Sequence, residues 1–197
     1  MLQNRVDPFG VPHAVPQRGA WYGNKGCLHD ASGRVRRSYS GKRWIICVCD
    51  FKGRRRALLQ PGRYTELFFH DEATAYAAGH RPCAECRRAD WTQFMDLWAD
   101  EFGRAKTDAV DAVLHTARLN GKARRLVAVD ARAVPIGAVI ALGDLPVLRG
   151  PTGWHGWRFS GYTPVPKVPE TVHALTPMPV LKLLARGLPV QMALSEN

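Results

Sequence analysis

The chain is short of acid. Against 28 Lys and Arg stand only 17 Asp and Glu, which leaves a formal charge of +11 on 197 residues. A surface so poor in carboxylates points to a polyanionic partner, nucleic acid (DNA) first. Long hydrophobic runs are also missing: no stretch approaches the ~20 apolar residues of a membrane span. The N-terminus MLQNRVDPFG has no apolar signal core, so the expectation is no membrane and a cytoplasmic location. Five cysteines, an odd number unevenly spaced, exclude a disulfide framework and suit a reducing compartment. There is no internal repeat and no low-complexity tract, so the length serves one large domain or two small ones with ample core.

What is there concentrates between Tyr64 and Arg88. Thr65 to Phe69 are mostly β-branched or aromatic and read as a buried strand. Asp71 stands where a helix N-cap is wanted, alanines follow, and Gly79 supplies a left-handed stop. Arg81 and Pro82 then lead to Cys83 and Cys86 on one tight turn. Such a Cys-x-x-Cys knuckle can place two thiolates on one tetrahedral zinc. A redox pair or two buried structural thiols would look alike. The basic flank Arg81, Arg87 and Arg88 is expected to lower the thiol pKa and favour the metal-binding form.

The run FFHDEATAYAAGHRPCAEC resembles the second half of the N-terminal metal-binding domain of the Ada methylphosphotriester DNA-repair proteins. The similarity covers about residues 65–88. It implies a zinc site in which this Cys-x-x-Cys pair supplies two of four cysteine ligands, on a protein that handles damaged DNA. In that family the other two ligands form an earlier Cys-x-x-x-Cys, and one of them accepts a methyl group. Counting back by the family's spacing reaches Lys52 and Arg56, so the nearest thiols here are Cys47 and Cys49. If methyl transfer is retained, the resemblance makes Cys47 or Cys49 the attacking thiolate.

Strand geometry restricts that pair. Residues two apart on a regular strand repeat every ~6.6 Å, too far for two sulfurs bound to one ion at ~2.3 Å each. Cys47 and Cys49 can act together only across a bulge; a site of Cys83, Cys86, one of those two and Cys27 or His29 is an equal alternative, and so is a site with two cysteine ligands or no metal. Cys27 and His29 sit in the turn-like GNKGCLHD.

The densest charge lies between them and the knuckle. Arg36, Arg37, Lys42, Arg43, Lys52, Arg54, Arg55 and Arg56 flank the alternating RWIICVCDF, which reads as a β-hairpin with basic ends suited to phosphate contact. Arg81 joins them as a candidate nucleic-acid contact. Residues 1–19, with three prolines, read as an extended arm. After the knuckle, Asp90 is expected to cap a helix with the stripe Trp91, Phe94, Met95 and Trp98, and Thr107 to open another with Val110, Val113, Leu114 and Ala117 inward. Beyond Gly121 come short apolar runs broken by glycine and proline, then the aromatic GPTGWHGWRFSGY, whose rings fit a core, and a helix begun by Thr176-Pro177.

The expected fold class is therefore α+β. An arm (1–19) precedes a hairpin-and-knuckle domain with helices (20–121), and a small β-rich region closed by a helix follows (122–197). The leading function is a DNA-binding protein with a zinc knuckle, in repair or damage response. A metal-dependent nuclease using His29 or His80 to activate water is the alternative, with a non-catalytic partner-binding protein third.

Overall fold

Asp71 sets the geometry of the middle of the chain. Its Oδ1 accepts from the Thr74 amide at 2.8 Å and from the Thr74 hydroxyl at 2.6 Å, which closes the N-terminus of helix α1 (Glu72–Ala77). Every residue of α1 is buried, because its alanines let the backbone lie close against its neighbours. Gly79, at φ 91°, then turns the chain sharply out of the helix in backbone that few other residues tolerate.

The computed structural model describes residues 1–53 and 57–194. Before α1 come five strands: β1 (Arg5–Val6), β2 (Pro12–His13), β3 (Trp21–Asn24), β4 (Ile45–Cys47) and β5 (Leu67–Phe69). With β6 (Arg81–Pro82) they form one sheet in the order β2-β1-β5-β3-β4-β6. Within residues 1–19 the hairpin β1–β2 joins this sheet, with Val6 fully buried. The basic run does not fold back on itself as one hairpin. Among its described residues only Ile45–Cys47 is strand, and its neighbours are β3, antiparallel and upstream, and β6, parallel and downstream.

Helices α2 (Arg88–Phe102) and α3 (Thr107–Arg118) follow. Asp90 lies inside the first turn of α2 and is not its cap; the N-cap position is Arg87, whose Nε donates to Asp90 at 2.9 Å. Phe94 and Trp98 are buried as their spacing predicts. On α3 the inward face is turned: Val110 and Leu114 are buried together with Asp111 and Arg118, whereas Val113 is 49% exposed. The cause is polar, since Asp111 takes a two-pronged contact from the buried Arg81, at 2.8 and 2.7 Å.

A short ribbon, β7 (Leu119–Asn120) with β8 (Ala123–Arg124), turns at Gly121. A second six-stranded sheet follows: β9 (Val127–Asp130), β10 (Val139–Leu142), β11 (Leu145–Gly150), β12 (Gly153–Arg158), β13 (Gly161–Val165) and β14 (Thr171–Ala174), in the order β13-β12-β11-β10-β14-β9. Helix α4 (Met178–Ala185) closes it, with Pro177 at its start and Gly187 at φ 88° past its end. The α+β class stands. One apolar core crosses the ribbon, joining Val6, Ile46 and Phe94 to Ile140, Val147 and Leu183. The aromatic strand β12 contributes Trp157, 5% exposed, to the interior. The hydroxyl of Tyr162, on β13, donates to Asp71 at 2.7 Å, linking the second sheet to the cap of α1. No helix among the described residues is long and apolar enough to cross a membrane.

Candidate metal centre and its cleft

The parallel pairing of β4 with β6 creates the site. Ile45 lies opposite Arg81 and Ile46 opposite Pro82, and the Cys83 amide donates to the Ile46 carbonyl at 2.9 Å. That register carries Cys47 to the side of Cys83 just as the chain turns toward α2. The sulfurs of Cys47, Cys83 and Cys86 lie within 4.8 Å of one another. Zinc–sulfur bonds of about 2.3 Å in a tetrahedron hold sulfurs about 3.8 Å apart, so the three donors suit a single soft metal ion with little adjustment. Thiolate donors favour zinc, copper(I) or iron over magnesium or calcium.

Cys49 is not in the cluster. It is exposed, and its thiol donates to the Ala20 carbonyl at 3.3 Å. β4 ends at Cys47, and Cys49 lies past it in a bend, outside the thiol cluster. Cys27 is also elsewhere, with its thiol 3.6 Å from the His29 carbonyl.

The protons of the cluster are unevenly shared. Cys83 is drawn down to about 5, first by a hydrogen bond from Cys47 and then by the amides of Cys86 and Glu85. Cys47 is pushed far up by its hydrogen bond with Cys83 and by burial, and burial raises Cys86 as well. Negative charge is thus favoured on Cys83, and a metal ion bound there would displace protons from Cys47 and Cys86. The basic flank expected to support the thiolate is occupied otherwise. Arg81 is 2% exposed and paired with Asp111. Arg87 pairs with Glu72 at 2.6 Å, and Arg88 lies over the Trp91 ring. Arg81 is therefore corrected from a nucleic-acid contact to an internal strut.

The histidines fare similarly. His29 is 6% exposed, its Nδ1 2.6 Å from the Thr65 hydroxyl and its Nε2 3.2 Å from the Gln60 carbonyl. It fastens a loop and is outside the thiol cluster. His80 is fully buried between Phe69 and Trp44. Burial, followed by Lys25, Arg118 and Arg124, holds its pKa well below the usual histidine value. Neither ring reaches solvent in a way that could activate water, which corrects both as general bases.

The remaining basic candidates behave as a surface. Arg36, Arg37, Lys42, Arg43 and Lys52 are exposed; Arg36 also pairs with Asp30 and Arg43 with Asp108. Arg54, Arg55 and Arg56 lie outside the described residues.

A cleft of about 610 Å³ opens on the thiols. Cys47, Cys83 and Cys86 form part of its lining, with Tyr22 and Phe68 from the neighbouring strands and Glu66 beside them. Glu66 was not legible as a site residue, although a lone acid in the apolar run TELFF is an available signal. It is 1% exposed; one carboxylate oxygen accepts from the Leu59 amide at 2.8 Å and the other has no hydrogen-bond partner among the described residues. Leu59 is held at φ 53°, a left-handed conformation that costs a leucine on the order of 1 kcal/mol. Compared with known proteins, the chain matches no family model, no curated protein and no solved structure.

Proposed function

We propose that the protein binds one zinc ion through Cys47, Cys83 and Cys86 and uses its exposed basic residues to hold nucleic acid, with DNA as the partner. The observation that carries this reading is the convergence of three thiols from two elements distant in sequence. Three protein donors leave a tetrahedral ion one position short, and such open sites are reactive where four-cysteine sites are closed. When bound, the ion would keep its sulfurs anionic and offer that fourth position to a ligand from the cleft. The resemblance to the Ada metal-binding domain adds a context of DNA repair or damage response, with Cys47 as the thiolate on the strand side of the site.

The exposed Arg36, Arg37, Lys42, Arg43 and Lys52 support the polyanion half of the reading. Neutralising several phosphates releases condensed counterions, so the affinity for DNA should fall with salt at a log–log slope of about −3 to −4. A variant carrying Arg37→Glu and Lys42→Glu should bind more weakly and lose about two units of that slope, measured by fluorescence anisotropy across a salt series. A flat salt dependence in the wild type would contradict nucleic-acid binding and leave the metal centre without that partner.

A further inference from the structure

The cleft beside the thiols is built unlike the basic exterior. Its aromatic wall includes Tyr22 and Phe68, whose ring centroids are 5.8 Å apart at 68°. Its lining also holds the buried carboxylate of Glu66, with one oxygen unpartnered among the described residues. A buried acceptor left without a donor costs on the order of 1–3 kcal/mol, and a ligand N–H would recover it. Flat rings stack on exposed aromatic faces whatever their sequence context. The chain around the cleft also ties it to the phosphate-binding surface, since the lining residue Phe51 is followed directly by Lys52.

We propose that this cleft receives one unstacked guanine base of a bound DNA strand, packed against the Tyr22–Phe68 wall and donating its N–H groups to Glu66. The proposal rests on the nucleic-acid reading above and names what that reading leaves open, the base and its state of pairing. Guanine follows from the chemistry of the acceptor. A carboxylate needs donors and repels lone pairs. Guanine alone presents two adjacent N–H donors on its Watson–Crick edge, whereas thymine flanks its single N–H with carbonyls, and adenine and cytosine set an acceptor nitrogen beside the amino group. In a duplex that edge is paired and out of reach, so the preference belongs to single strands or extruded bases.

The test compares three short DNA strands on the zinc-loaded full chain: oligothymidylate, the same strand with one central guanine, and the same strand with 1-methylguanine there. The guanine strand should bind about tenfold more tightly than oligothymidylate, and the methylated base, lacking the N1 proton, should lose most of that gain. Glu66→Gln, which keeps an acceptor for the Leu59 amide, should bring the guanine and thymine strands to within about twofold. Equal, salt-dependent binding of all three strands to the wild type would overturn the base pocket while leaving the nucleic-acid reading intact. A Glu66→Gln variant that weakens every strand alike would likewise overturn it, by making Glu66 structural. No salt-dependent binding of any strand would overturn both.

Discussion

Two places in this molecule gather groups of like character in the interior, and they are resolved in opposite ways. Around the C-terminal end of α1, Lys25, Arg118 and Arg124 converge near His80. Lys25 is 2% exposed and Arg118 fully buried. Each cation is met by oxygen or by a ring. Lys25 donates to the Gly10 carbonyl at 2.8 Å, Arg118 to the carbonyls of Gly79 and Lys42 at 2.7 and 2.5 Å, and Arg124 to those of Ala77 and Leu175. The Arg118 guanidinium also lies 3.8 Å from the centre of the Trp44 ring. Carbonyls freed at a helix end carry partial negative charge, so this cluster is completed within the fold. The thiols of Cys47, Cys83 and Cys86 share protons among themselves and take support from the Cys86 and Glu85 amides, and as a group they could hold a metal ion supplied from outside. The first cluster is architecture; the second is a set of donors that could take a metal ion.

Breaking the cation cluster should therefore cost stability and leave metal binding alone. Arg118→Met would strand the Gly79 and Lys42 carbonyls and remove the guanidinium from Trp44. We expect a loss of about 2–4 kcal/mol, read from the urea midpoint, with zinc content unchanged. A variant as stable as the wild type would show that these carbonyls find other partners. A loss of zinc together with stability would show that the two clusters are not separate.

Lys25 sharpens the same contrast at smaller amplitude. Burial, then Arg124 and Arg118, lowers its pKa from 10.5 to about 7, against a smaller opposing pull from Asp7. The folded state thus sheds the proton near neutrality while the unfolded chain keeps it to near 10.5. Between these values the unfolded state binds more protons, so this group's contribution to stability rises with pH and is least below about 7. The slope is at most about 1.4 kcal/mol per pH unit. Lys25→Met should flatten the rise between pH 7 and about 9, as followed by urea denaturation at each pH. An unchanged profile would mean that Lys25 keeps its ordinary pKa.

Local signals carried part of this far. The cap at Asp71, the stop at Gly79 and the knuckle at Cys83 and Cys86 are set by neighbours in sequence, and all stand as read. The strand repeat set Cys47 and Cys49 too far apart to share one ion; in the fold Cys49 lies past the end of β4 and only Cys47 joins the knuckle. It could not say which, because that depends on the parallel register of β4 against β6, a pairing between distant segments with no turn to announce it. The arginines show the opposite limit. Arg81 and Arg37 look alike in a charge count, yet Arg81 is sealed against Asp111, a residue lying between two apolar positions of the α3 stripe. Charge alone does not reveal burial; the partner does. Lys25, Arg118 and Arg124 escaped notice for the same reason, their partners being mostly backbone carbonyls that every residue possesses.

The most direct test of the account is metal content, measured by mass spectrometry on the purified wild type and on Cys47→Ser, Cys49→Ser and Cys83→Ser. The account predicts near one zinc per chain in the wild type and in Cys49→Ser, and its loss in Cys47→Ser and Cys83→Ser. Zinc retained without Cys47, or lost without Cys49, would contradict the three-thiol centre on which the functional reading stands.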